Sequence, residues 1–183
     1  MPIWMPATIM GGGAWQTTTS TSLTANSGGW GNYTLRMFIP QASLLVTGGT
    51  QVRLTLTAAS SVNLVVNDCY FGQASGSYSA TAPAFSGTPT QALFSGSAGT
   101  TVTAGTSAVS DAVSGSIPAS NGLCIALNIN NLQVRATAAS TPANFQFSYK
   151  AGATDSATVA ASGYTSQTGT NGFGIFNLVE VFA

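Results

Sequence analysis

Histidine is absent from this 183-residue chain, and charged side chains are scarce. Charged residues make up 4% of the sequence, whereas ordinary globular domains carry about 25%. The eight of them are Arg36, Arg53, Arg135, Lys150, Asp68, Asp111, Asp155 and Glu180. The lack of histidine excludes Ser-His-Asp and Cys-His catalytic groups and His-ligated metals. Four cations cannot form the basic patch that phosphate neutralisation requires, so we expect no nucleic-acid partner.

Long apolar runs and charged helix faces are also missing. Lys150 and Glu180 are the only Lys and Glu, so the chain cannot supply the charged outer face of a typical surface helix. No apolar run approaches the ~20 residues that span a bilayer, so we expect no membrane partner. The first residues, Met-Pro-Ile-Trp-Met-Pro, lack the basic region and continuous apolar core of a secretory signal. We therefore expect synthesis in a host cytoplasm without export.

Small and hydroxylated residues dominate what is present. Gly, Ala, Ser and Thr make up just over half of the chain, and 44% of all residues are hydrophobic. That hydrophobic content and the zero net charge predict a folded rather than a disordered chain. The composition suits pleated strands joined by turns.

Period-two alternation marks the strongest strands. Val52, Leu54 and Leu56 alternate with polar residues, and a second alternating run covers 123–129. Short strands separated by turn signals predict an all-β fold, a two-sheet antiparallel β-sandwich of jelly-roll-like type. The predicted core is Val52, Leu54, Leu56, Leu64, Leu123, Ile125, Leu127, Phe145, Phe147 and Leu178. The apolar segment 173–182 predicts a strand that is covered on both faces or lies at an interface.

The first 31 residues differ from the rest. They hold all three tryptophans, a Gly11–Gly13 run and a Thr/Ser tract without sustained periodicity. We interpret residues 1–31 as an extended N-terminal arm and residues 32–183 as the β-sandwich domain. Because the arm has apolar area but cannot form a core alone, we expect it to lie on a neighbouring copy in a homo-oligomer, with a trimer favoured.

The cysteines and carboxylates give no clear catalytic or metal site. Cys69 and Cys124 are expected to be buried and reduced, with a disulfide as the alternative in an oxidising compartment. Asp68 and Asp111 could form a carboxylate pair, but Asp111 is better explained as a turn residue that binds its own backbone. Calcium could bind at Asp68 and Asn67, although no loop has EF-hand spacing. We predict no catalytic residue, no metal and no cofactor.

Aromatic side chains are the candidate contact residues. Trp4, Trp15, Trp30 and Tyr33 could anchor a partner protein or stack on a glycan, or they could simply cover the ends of the sandwich. Tyr70, Tyr78 and Tyr164 fit the covering role better. Arginines on the predicted strands should lie opposite the core, either in solvent or paired across subunits with Glu180 or Asp155.

Four segments carry a resemblance to a known family. The strand Arg53–Leu56, the turn Phe94–Gly96, the stretch Val102–Val113 and the strand Leu123–Leu127 follow the order R-L-x-L, F-x-G, V-x-x-G-x-x-x-x-S-D-x-V and L-x-(V/I)-x-L. The series resembles the β-sandwich accessory domain found beside SGNH/GDSL hydrolase domains. The catalytic half of those hydrolases is missing here, because there is no Gly-Asp-Ser block and no histidine. The resemblance therefore implies a fold, with glycan or protein binding as a general tendency.

In style, charge-poor sandwiches of this size also resemble bacteriophage capsid decoration (cement) proteins and tail adhesins. We therefore expect a non-enzymatic structural protein of a virion, contacting itself and a major capsid or other virion protein. The alternatives are a carbohydrate-binding module or phage tail receptor-binding protein, which would contact a surface glycan, and a passive domain of a larger hydrolase.

Overall fold

The computed structural model describes residues 13–20, 22–23, 25–28, 30–76, 84–130, 133–136, 145–152, 162–167 and 176–183. Within these ranges the fold is almost entirely β, since its one helix is a 3-10 turn at Gln41–Ser43. The strands are β1 (Trp15–Ser20), β2 (Ala25–Gly28), β3 (Tyr33–Ile39), β4 (Gln51–Thr57), β5 (Leu64–Gln73), β6 (Thr90–Gln91), β7 (Thr100–Val102), β8 (Ser107–Val109), β9 (Val113–Ser114), β10 (Leu123–Ile129), β11 (Gln133–Ala136), β12 (Gln146–Ala151), β13 (Thr165–Gln167) and β14 (Phe176–Phe182).

Two antiparallel sheets form the sandwich, which confirms the predicted fold class. The five-stranded sheet has the order β1-β14-β4-β8, and β9 also pairs with β4. The seven-stranded sheet has the order β13-β12-β3-β10-β5-β6, and β7 also pairs with β5. A separate two-stranded sheet joins β2 to β11.

Alternating side chains from both sheets form the core. Leu54 of β4 and Val181 of β14 share one buried apolar cluster with Leu35 of β3 and Ile125 of β10. Eight of the ten predicted core residues are buried there, and Phe145 is half-buried against the same cluster. The alternation therefore identified the inward face of each of these strands correctly.

Leu178 was wrongly predicted to be a core residue. It is half-buried, and Val179 and Val181 fill the core from β14 instead. The register between β14 and β4 shifts between Phe176 and Leu178, so the side-chain phase changes at that irregularity. Leu178 pairs with Thr55 on the opposite face of the sheet, because a one-residue shift turns each following side chain over.

The central strands β3 and β10 are buried on both faces. Their inward residues belong to the core, while Phe38, Cys124 and Ala126 form a second cluster with Ala74 and Phe85 on the outer face. The alternation assigned these outward residues to the correct face, but burial on that face was predicted only for Cys124. The chain in fact covers this face with its own loops.

Strand β1 and Trp30, which both fall within residues 1–31, are joined to the sandwich. Strand β1 pairs with β14, from Trp15 opposite Phe182 to Ser20 opposite Leu178. Trp30 is 8% exposed and belongs to the core cluster. Residues 15–20 and Trp30 therefore do not extend from the domain. Residues 1–12 lie outside the described ranges, so an arm at those positions stays a prediction.

Candidate binding faces of the two sheets

The outer face of the seven-stranded sheet is closed over a buried arginine. Arg36 is 0% exposed, although its place on β3 points it away from the core. Its guanidinium carbon lies 5.3 Å from the ring centroid of Phe85 and 4.9 Å from that of Tyr164. Ring faces attract a desolvated cation by about 2 kcal/mol or more each. We call this surface, with Arg36, Phe38, Cys124 and Ala126 beneath Phe85 and Tyr164, the covered face. The predicted solvated or intersubunit position for Arg36 is wrong.

Glycine allows the Phe85 loop to lie directly on the sheet. A Cβ atom on Gly72 of β5 would approach the Phe85 ring to 3.2 Å, which is closer than ordinary packing. Ala74 and Phe85 form an isolated bridge, and Ser86 N–H donates to the Gln73 carbonyl. The chain thus doubles back beyond β5 and places Phe85 over Arg36.

The two cysteines are free thiols on opposite faces of the same sheet. Cys69 packs in the core, and Cys124 packs in the cluster of the covered face. The predicted reduced state therefore holds, and the alternative of a disulfide does not. Burial raises the pKa of Cys69 and raises the pKa of Cys124 to about 12, the latter in spite of the opposing charge of nearby Arg36. Both thiols are protonated and unreactive near neutral pH.

A row of hydrogen-bonded polar side chains crosses strands β5, β10 and β3 of the seven-stranded sheet. Asn67 Nδ2 donates to Asn128 Oδ1, and Asn128 Nδ2 donates to Thr34 Oγ1 at 3.0 Å. The row crosses the sheet beside the bulge where the register between β5 and β10 shifts. The amide of Asn67 is thereby engaged with a neighbouring strand. Among the described residues, no group of three or more His, Cys, Asp or Glu could hold a metal ion.

The outer face of the five-stranded sheet carries Arg53, which is partly exposed. Arg53 donates from Nε to Glu180 Oε2 at 2.7 Å and from Nη2 to Glu180 Oε1 at 3.0 Å. The side chains are 31% and 15% exposed. The hydrogen bond to Glu180 raises the pKa of Arg53. Glu180 was predicted to pair with an arginine across subunits, whereas it pairs within its own chain.

Aromatic and aliphatic side chains surround this ion pair. The Trp15 ring centroid lies 4.2 Å from the guanidinium carbon of Arg53, and the Trp15 and Phe182 rings meet edge to face at 5.5 Å. Val109 of β8 is 52% exposed and pairs in register with Thr55. We call this surface, formed by Trp15, Thr17, Arg53, Val109, Leu178, Glu180 and Phe182, the open face. Strand β14 was expected to be covered on both sides or to lie at an interface; its outward residues are partly exposed.

The predicted contact residues that the structure describes, Trp15, Trp30 and Tyr33, do not all lie together. Trp15 lies on the open face, and Trp4 lies outside the described residues. Trp30 is buried and meets the rings of Tyr33, Phe147 and Tyr149 edge to face at 5.4–5.6 Å. These aromatics pack against the core, which is the covering role rather than the contact role. Tyr70 and Tyr164 also cover the sandwich, whereas Tyr78 lies outside the described residues.

Asp111 has a structural role that differs in detail from the prediction. Its Oδ1 accepts the Ser95 N–H at 3.0 Å, and its Oδ2 accepts the Gly96 N–H at 2.7 Å. Ser95 and Gly96 both have positive φ and form the tight turn of a short hairpin. The carboxylate therefore caps a turn fifteen residues earlier in the chain and not its own backbone. Asp68, its suggested partner, is half-buried on β5.

The segments that resemble the hydrolase accessory domain also make structural contacts, as Asp111 does. Ser110 Oγ accepts the Leu54 N–H at 2.9 Å, so the Ser-Asp pair connects strand β4 to the turn after Phe94. These segments make structural contacts that join distant parts of the sandwich.

No helix in the described part of the chain is long and apolar enough to cross a membrane. No known family model matches this sequence, and no curated protein matches it significantly.

Proposed function

We propose that this chain is a non-enzymatic structural protein of a bacteriophage virion, acting as a capsid decoration or cement protein through protein–protein contacts. One observation carries the proposal: five of the eight charged side chains make contacts within the chain. Arg36 is buried between rings, Arg53 pairs with Glu180, and Asp111 binds a turn. Lys150 Nζ donates to the Ser162 carbonyl at 3.4 Å.

A surface with so little free charge suits permanent contact with neighbours. A protein without net charge has little electrostatic repulsion that would keep copies apart in solution. Ser, Thr, Gly and Ala form close contacts and hydrogen bonds without the cost of desolvating ions. These properties favour a protein that is a permanent part of an assembly over one that binds a charged substrate or polymer.

The open face is the surface that we assign to these contacts. It presents Val109, Trp15 and Phe182 around an ion pair that is already neutralised. A partner surface therefore needs apolar groups around this pair and no excess of charge of one sign. Aromatic side chains are enriched among the residues that dominate binding energy in interfaces.

The test is binding of the purified protein to virions that lack it, followed by mass spectrometry of the washed particles. Val109→Asp places an unpaired charge on the open face and should abolish binding. Thr101→Asp is the matched control, because Thr101 is an exposed strand residue of the seven-stranded sheet. Loss of binding in the control alone, equal binding by both variants, or no binding by the parent protein would contradict the proposal.

A second candidate function is glycan binding at Trp15. The indole ring lies beside a guanidinium and a carboxylate, and these three groups together can bind the apolar face and the hydroxyls of a sugar. A glycan array distinguishes the two functions, since a carbohydrate-binding module should bind a defined sugar and lose it in Trp15→Ala. A decoration protein should bind particles and leave the array blank.

A further inference from the structure

The open face carries one positive and one negative side chain next to each other. Glu180 and Arg53 are opposite each other in the register of β14 and β4, at the middle of the face. Trp15 and Phe182 lie on one side of this pair, and Val109 lies on the far side, on β8. No further Lys, Arg, Asp or Glu occurs in β1, β4, β8, β9 or β14.

Such an arrangement is complementary to itself. In a two-fold contact the same patch lies on both sides, so its residues meet in reciprocal pairs. A patch with charge of one sign would repel its own copy. A patch with Arg53 and Glu180 side by side can instead place each cation opposite the anion of the second copy, and the surrounding apolar groups then meet one another.

From this arrangement we infer that the open face binds a second copy of the same chain around a two-fold axis near Arg53 and Glu180. The proposed role in an assembly supplies the setting, but the contact itself is a property of the isolated protein. The sequence led us to expect a trimer, which requires two different patches on each copy. The open face matches itself, so it predicts a dimeric contact.

The size of the face sets the strength of this contact. Four strands at about 4.8 Å spacing and seven residues at about 3.3 Å rise give a footprint of roughly 19 by 23 Å. Two copies would bury roughly 900 Å², which is below the usual ~1,600 Å² of stable interfaces. The dimer is therefore weak in dilute solution and forms where copies are concentrated, as on a particle surface.

Cysteine cross-linking tests the contact directly. Thr17 is exposed and pairs with Glu180 in register, so Thr17→Cys places a thiol beside the proposed axis. Thr101→Cys is the matched control on the seven-stranded sheet. The native Cys69 and Cys124 are fully buried and do not compete for reagent. With a short bismaleimide and rising protein concentration, Thr17→Cys should form covalent dimers much faster than Thr101→Cys.

Charge reversal tests the pairing. Arg53→Glu in the Thr17→Cys background places like charges opposite each other, and dimer formation should fall by roughly tenfold or more. Adding Glu180→Arg restores one charge of each sign and should restore cross-linking. Both positions are partly exposed, and circular dichroism confirms that each variant is folded.

Three outcomes would refute the self-contact: equal rates for the two cysteine variants, no dimer at the highest concentration, or no response to charge reversal in folded protein. The open face would instead be a sugar site if Trp15→Ala abolishes binding to a glycan and Thr17→Cys cross-links no faster than Thr101→Cys. Particle binding without Thr17 cross-linking refutes this inference and leaves the proposed function standing. Cross-linking at Thr17 without particle binding refutes the proposed function and leaves the self-contact standing.

Discussion

Arg36 and Arg53 occupy equivalent positions in the two sheets, and their surroundings are opposite. Each lies on a central strand with its side chain directed away from the core. Arg36 is fully buried between Phe85 and Tyr164, whereas Arg53 reaches solvent and pairs with Glu180. The difference shows that strand alternation determines which face a residue lies on, while distant loops determine whether that face is available to a partner.

The two faces therefore have different roles, one in the stability of the monomer and the other in contacts with a partner. The covered face contributes to the stability of the monomer, because its apolar cluster is removed from water and its cation lies between two aromatic rings. The open face contributes little to folding and is available for contacts. Matched substitutions on the two faces should therefore separate stability from assembly.

The largest expected effect follows from truncating the two arginines. Arg36→Ala removes two desolvated cation–ring contacts and leaves a cavity, so it should lower the free energy of unfolding by about 3–5 kcal/mol. Arg53→Ala removes a partly exposed pair and should cost about 1 kcal/mol or less. Urea unfolding followed by circular dichroism measures both. An equal loss of unfolding free energy in the two variants would contradict the different roles of the two faces.

One phenylalanine on each face provides the second test. Phe85 is 2% exposed in the outer cluster, so Phe85→Ala should cost about 3 kcal/mol. Phe182 is half-buried at the open face, and Phe182→Ala should cost clearly less while weakening cross-linking at Thr17. Phe85→Ala should thus have the larger effect on the free energy of unfolding, and Phe182→Ala the larger effect on the cross-linking rate.

The thiols provide a test in alkaline solution. The folded state raises the pKa of Cys124 from 9.0 to about 12, so below pH 9 the thiol is protonated in folded and unfolded protein alike. Between these values only the unfolded chain loses the proton. Stability is therefore fully present below pH 9 and falls as pH rises, by about 1.4 kcal/mol per pH unit for this group.

Cys124→Ala should reduce this alkaline slope relative to the parent protein, and Cys69→Ala should do the same from the core side. Urea midpoints between pH 9 and pH 11 measure the difference, with each variant compared with itself at pH 8. An unchanged slope in Cys124→Ala would show that the covered face admits water to the thiol.

The smallest effect is expected for the ion pair of the open face. Glu180→Gln retains the shape of the side chain and removes its charge, so it should cost less than about 1 kcal/mol. The loss should shrink further in high salt, because exposed charges are screened over about 10 Å at 0.1 M. A large loss that is independent of salt would show that the pair is closed off from solvent.

The sequence predicted the sandwich and most of its core because alternation is a local pattern. Val52, Leu54 and Leu56 needed only their own neighbours to be assigned to one face. Leu178 failed because a bulge between Phe176 and Leu178 shifts the phase, and the bulge arises from pairing with β4. The Thr/Ser tract of β1 carries no periodic signal, since its place at the sheet edge comes from pairing with β14.

The sites were harder to predict because they depend on contacts between distant parts of the chain. Trp15 is partly exposed, and its role as a contact residue stays a prediction. Arg53 and Glu180 are 127 residues apart, and only the fold brings them together. Nothing near Arg36 in the sequence indicates that Phe85 and Tyr164 will cover it. Glycine at position 72 was a usable signal, since a strand glycine often marks a close approach by another segment.

Arginine-selective labelling with a dicarbonyl reagent tests the central claim most directly, because it compares the two faces in one sample. In the native monomer, Arg53 should be modified and Arg36 should stay protected until the protein is unfolded in urea. At high concentration or on particles, Arg53 should become protected as well. Equal modification of Arg36 and Arg53 in the native monomer, or unchanged labelling of Arg53 on assembly, would contradict the division into a covered face and a contact face.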